Sequence, residues 1–144
     1  MSLPRGDERR RHLALLEREQ LTSVMNETKW AELAATMQGF CPLPDWRCKE
    51  ITASEPGQWD AEWYYHVRPF HTIEWLEIGF VHPKRVPGRY EPALLTPAER
   101  ADAEARVRAT LSSLGVPFSV ENGLVRVWGY TRPEQPVWAH LPAT

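Results

Sequence analysis

The chain has 144 residues, 42% of them hydrophobic and 25% charged, with a formal net charge of −2. That is the length and composition of one ordinary globular domain, able to bury a core without disulfide or metal staples. The slightly acidic balance disfavours general electrostatic binding of nucleic acid, and no apolar run reaches the roughly 18 residues of a membrane span.

The first 24 residues differ from the rest. They carry five arginines and four acids, with Leu13, Leu16 and Val24 at loose helical spacing. The spacing predicts a helix over about 7–23, a helical extension (1–24) ahead of a single domain (25–144). In "MNETKWAELAATMQGF", Asn26 or Thr28 can cap a second helix. Trp30, Leu33, Ala34 and Met37 recur at a spacing of three to four, and Gly39 sits where the helix should end.

"CPLP" breaks the chain. "DWRCKEI" (45–51) reads as a short strand and "ASEPGQ" as a turn-rich loop. "AEWYYHV" (61–67) and "TIEWLEIGFV" (72–81) read as two longer strands joined hairpin-fashion through "RPFH". A proline-punctuated loop over 82–95 follows. "TPAERADAEARVRATLSSLG" is the clearest helix: Thr96 caps it, Pro97 fills the first turn, Glu99 completes a capping box and Gly115 ends it. After the turn "ENG", "LVRVWGYT" (124–131) is a final strand, and an extended tail carries Trp138.

The expected order is α-β-β-β-α-β, and strands joined by short turns pair antiparallel. The fold class is therefore α+β: a two-layer sandwich, an antiparallel sheet of about four strands with two helices on one face. Cys41 and Cys48 are expected as reduced thiols. Acids interrupt the apolar patch at the N-terminus and no small-residue cleavage site follows, so the expected compartment is the cytoplasm.

"MNETKW" (25–30), "PDWRCK" (44–49), "WDAEWYYHV" (59–67), "IEWLEI" (73–78) and "GYT" (129–131) together resemble a bacterial family of unknown function. Its pattern is M-N-x-T-K-W, W-R-T-K, W-D-G-E-W-[FY]-Y-H-F and I-E-W-[LV]-E-I. The likeness spans 25–131, with Cys48 in place of Thr and Ala61 in place of Gly. It implies a stable single-domain bacterial protein and brings no activity with it. Small α+β domains are also frequent among immunity proteins of bacterial toxin systems, an analogy of size and composition.

Alternation assigns the strand faces. Trp46, Trp63, Tyr65, Val67, Leu76, Ile78, Phe80, Val125 and Val127 point to the core. The opposite face carries Glu62, Tyr64 and His66, then Ile73, Trp75 and Glu77, then Arg126, Trp128 and Tyr130, with Arg47 and Lys49 beside them. Four large rings on a sheet face mark either a surface covered by another part of the chain or a partner site. We take Glu62, Tyr64, His66, Trp75, Glu77, Trp128 and Tyr130 as the candidate partner-binding residues.

An enzyme is the less favoured reading. Four residues of strand separate Glu62 and His66 by about 13 Å, too far to hydrogen-bond. Glu74 and Glu77 fall on opposite faces, and no phosphate loop, serine elbow or HExxH occurs. His66, His71 and His82 match no zinc spacing, so no metal or cofactor is expected. Residues 45–78 hold seven acids against three bases, which disfavours RNA and favours a basic protein, such as a toxin, as partner. The expected function is a non-enzymatic protein-binding domain neutralising a bacterial toxin; the alternative is a small enzyme or small-molecule-binding protein using the same face.

Overall fold

The structure, a computed structural model, describes residues 5–67, 69–81 and 95–135. The loop expected over 82–95 lies outside them except for Leu95, as do His82 and the Trp138 tail.

Among the described residues three helices, α1 (Arg5–Arg18), α2 (Glu27–Gln38) and α3 (Pro97–Leu114), combine with six strands. The strands are β1 (Thr22–Ser23), β2 (Asp45–Glu50), β3 (Ile73–Gly79), β4 (Phe118–Glu121), β5 (Leu124–Trp128) and β6 (Tyr130–Thr131). The class is α+β. The main sheet is antiparallel in the order β2-β3-β5-β4, and β1 pairs with β6 in a separate two-stranded ribbon.

The helix ends form as their residues dictate. Asn26 accepts from the Lys29 amide at the start of α2. Thr96 and Glu99 exchange both bonds of a capping box at the start of α3, and Gly115 ends that helix in the left-handed region, where the missing Cβ removes the steric cost. α1 stops sooner than the apolar spacing implies: Gln20 turns with φ 53°, and Leu21 folds back, so the chain enters β1. Leu15 and Leu16 then pack on a small cluster of Leu21, Ile51 and Tyr130.

Helices α2 and α3 lie on one face of the sheet. Trp30, Leu33 and Met37 of α2 and Ala103, Val107 and Leu111 of α3 share a core with Trp46, Leu76, Ile78, Phe118, Val125 and Val127.

Two expectations are corrected. Residues 61–67 form no strand; the segment is a bent loop joined to the sheet by one bridge between Trp46 and Asp60. The fourth strand is instead β4, in "PFSVE", which forms a tight hairpin with β5 through Asn122 (φ 52°) and Gly123 (φ 80°). The elements that build the main sheet and its helices therefore run α-β-β-α-β-β, and β5 lies inside the sheet.

Candidate functional site

Residues 60–66 fail to form a strand because their own carboxylates take the backbone donors that a ladder needs. Asp60 Oδ1 accepts the Glu62 amide at 2.8 Å. Glu62 Oε1 accepts the Tyr64 amide at 2.9 Å, and its Oε2 accepts those of Tyr65 (2.8 Å) and His66 (2.7 Å). Asp60 Oδ2 also meets His66 Nδ1 at 2.7 Å, with Glu62 Oε2 3.9 Å from the same nitrogen. Glu62 and His66, expected to be far apart on a strand, are thus neighbours 3.9 Å apart, and Asp60 is the group that sequence reasoning missed. The W-D-x-E spacing holds the signal, since an Asp side chain commonly bonds the amide two residues on.

Burial pushes the Asp60 and Glu62 carboxyls up. The amide donors, with His66 beside them, outweigh that and hold both below the usual carboxylate range. The loop is anchored at its base, where Trp46 and Asp60 exchange both backbone bonds at 2.8 Å and Trp46 Nε1 donates to the Glu62 carbonyl. Trp63 turns inward, its indole donating to the Pro44 carbonyl, and Val67 is also buried. Tyr64 and Tyr65 point out and are 55% and 79% exposed. Tyr65 was expected in the core; the bend reverses its direction.

The outer sheet face is built differently from a docking surface. Trp75 and Trp128 are cross-strand partners, 7% and 2% exposed, and Glu77 is 2% exposed. Glu77 takes Arg47 on one oxygen (2.7 Å) and Arg126 on the other (2.8 Å). The Arg126 guanidinium lies 4.0 Å from the Trp75 ring centre and 5.5 Å from that of Trp128. Trp128 Nε1 donates to Ser119 Oγ.

The β2–β3 register slips between Lys49 and Glu50, leaving Glu74 with no cross-strand partner on β2. The bulge turns Ile73 into the core and the Glu74 carboxylate outward. There it bonds Lys49 (2.8 Å) and Arg132 (3.0 Å), on the face that also holds Arg47 and Glu77. Glu74 and Glu77 were expected on opposite faces; the bulge brings both to the same one. Burial pushes the Glu74 carboxyl up, but Arg132 and Lys49 outweigh it and hold it below its usual range.

Tyr130 is buried apart from this face, in the small cluster beneath α1. Its hydroxyl donates to the His71 carbonyl at 2.7 Å and lies 3.3 Å from His12 Nε2, and burial raises its pKa. His12 meets His71 edge-on at 4.9 Å; burial, then the charge on His71, lowers its pKa. The two cysteines are free, and burial, then Glu50, pushes the Cys48 thiol up to about 11, far from a reactive thiolate. Among the described residues no group of three His, Cys, Asp or Glu side chains is arranged to hold a metal ion. Among them, too, no helix is long and apolar enough to cross a membrane.

The seven candidates therefore separate into three places. Glu62, Tyr64 and His66 share one carboxylate-pinned loop, Trp75, Glu77 and Trp128 are buried in the outer face, and Tyr130 is buried under α1.

No curated protein and no solved structure matches the chain. A family model does, over residues 12–134, so that its span includes the second half of α1 as well as both sheets. By that match the chain belongs to DUF6678, a family of unknown function.

Proposed function

We propose that the chain is a non-enzymatic protein-binding domain that engages its partner through the 60–66 loop. The observation that carries this reading is the pair of adjacent tyrosines, 55% and 79% exposed, on a loop held by four amide-to-carboxylate bonds. Tyrosine combines large contact area with few rotatable bonds and is enriched where proteins meet partners. A loop already fixed in shape loses less entropy on binding than a mobile one. Asp60 and Glu62 give the segment negative charge, which suits a basic partner. A toxin neutralised by this chain is the specific partner we put to the test.

The chain, immobilised, is exposed to a lysate of its native host beside a Tyr64→Ala, Tyr65→Ala variant, and captured proteins are read by mass spectrometry. The expected result is one protein held stoichiometrically by wild type and lost by the variant, whose melting midpoint stays within about 2 °C. That protein should arrest growth when expressed alone and cease to do so when this chain is co-expressed. Identical capture by both forms refutes the loop as the binding element.

A second reading, a small enzyme at the same segment, draws on the Asp60–His66 hydrogen bond. A carboxylate on Nδ1 orients an imidazole and leaves its other nitrogen for proton transfer. The two separate at His66→Gln, which should abolish turnover in an enzyme and leave protein capture intact in a binding domain.

A further inference from the structure

A cavity of about 330 Å³ opens where the first turn of α2, the short 3-10 turn (Phe70–Thr72) and β6 meet. Small-ligand sites begin at about this size. It uses none of the residues of the 60–66 loop, so it stands or falls independently of that loop's role.

Its wall is apolar and aromatic. Met25, Trp30 and Phe70 line it, the last two stacked with their planes 15° apart and centroids 6.2 Å apart. Glu27, His71 and Tyr130 also line it. Among the described residues no lysine or arginine lines the cavity, and the Glu27 carboxylate makes no hydrogen bond or ion pair. Lys29, two residues on, does not neutralise it: its ammonium is held by the Leu114 carbonyl and by Glu32.

The sign of the site follows from comparing charges. The N-terminal end of α2 contributes about half a positive charge, and Asn26 already caps one of its amides. Glu27 contributes a full negative charge in the first turn, so among the described lining residues the balance is negative at neutral pH. The Tyr130 hydroxyl donates to the His71 carbonyl, so its oxygen faces the site as an acceptor, with His12 Nε2 3.3 Å away. Aromatic rings beside a carboxylate favour a cation over an anion.

We propose that this cavity binds a small organic amine, protonated at neutral pH. Its ammonium lies at Glu27, and its apolar or aromatic body lies against Met25, Trp30 and Phe70.

The test is calorimetric titration and two-dimensional NMR of the full chain with phenethylamine, beside phenylpropanoate and phenethyl alcohol as anionic and neutral probes of similar shape. Phenethylamine should saturate at one site below about 10 mM and move the amide signals of Glu27, His71 and Tyr130. The other two should bind at least tenfold more weakly, and Glu27→Gln should weaken the amine at least tenfold. The proposal is overturned if no probe saturates, if the three bind alike, if phenylpropanoate binds tightest, or if Glu27→Gln leaves the amine unaffected. Should Glu27→Gln lower the melting midpoint, the ranking of the three probes on wild type still decides, because charge is the property that separates them.

Discussion

Glu77→Gln tests whether the outer sheet face is core. In the native chain Glu77 has 2% of its side chain in water and neutralises Arg47 and Arg126 at 2.7 and 2.8 Å. Gln keeps the volume but removes the charge, and its amide nitrogen turns a donor toward one of two guanidinium groups that have only donors to offer. Removing one partner of a buried ion pair costs about 3–5 kcal/mol. Arg47 and Arg126 keep 30% and 20% of their side-chain surface in water, which screens them and places the cost near the lower end, about 3 kcal/mol. A chain of this length unfolds with an entropy of about 0.3 kcal/mol/K, so the melting midpoint should fall by roughly 10 °C. Circular dichroism melts at pH 7 read this directly. A double-mutant cycle with Arg47→Met should return a coupling of at least about 1 kcal/mol. A fall of less than about 3 °C with no coupling refutes the reasoning: Glu77 would then be a solvated group available to a partner.

Two further outcomes follow from particular contacts. A Cβ added at Gly129 would run into the Ile73 carbonyl oxygen and come within 3.1 Å of Trp30 Cζ2, so Gly129→Ala should cost about 3 kcal/mol in a denaturant titration. Asp60 and Glu62 have depressed folded-state pKa values, so the loop order they support is fully present above the ordinary carboxylate range and lost as pH falls through the lower folded values. Hydrogen-exchange protection of the Tyr64, Tyr65 and His66 amides should hold at about pH 5 and fall only below about pH 4.

The helices were legible because their ends are encoded locally. Asn26, Thr96 with Glu99, and Gly115 each act within four residues, so reading them needs no tertiary knowledge. Two core strands were legible from the branched and aromatic residues around Trp46 and Leu76. The fourth strand was not, because "PFSVE" is short and its pairing depends on the Asn122–Gly123 turn bringing it against β5. Residues 61–67 have strand composition but not strand structure. Alternation weighs side chains as apolar or polar and does not see that Asp60 and Glu62 will bond their own backbone. The Glu74 bulge was also invisible, and it changes the faces of both Ile73 and Glu74.

These failures share one consequence for function. Five of the six tryptophans among the described residues are buried: Trp30, Trp46 and Trp63 in the helix-facing core, Trp75 and Trp128 under Arg126. The sixth, Trp59, is half-buried, with the Arg47 guanidinium 5.0 Å from its ring. A ring-rich sequence therefore does not imply a ring-rich surface, because each indole here has a core or guanidinium contact in the free chain. The acids are spent in the same way. Glu74 and Glu77 each hold two cations, and Asp60 and Glu62 hold the amides of their own loop. Among the described residues two places stand out: the exposed rings of Tyr64 and Tyr65 on a pinned loop, and Glu27 beside a cavity. Buried, bonded groups stabilise the fold, and a partner or ligand meets the side chains that stay exposed. On that argument the search for function narrows from seven aromatic and acidic candidates to two places, the Tyr64–Tyr65 pair and the cavity beside Glu27.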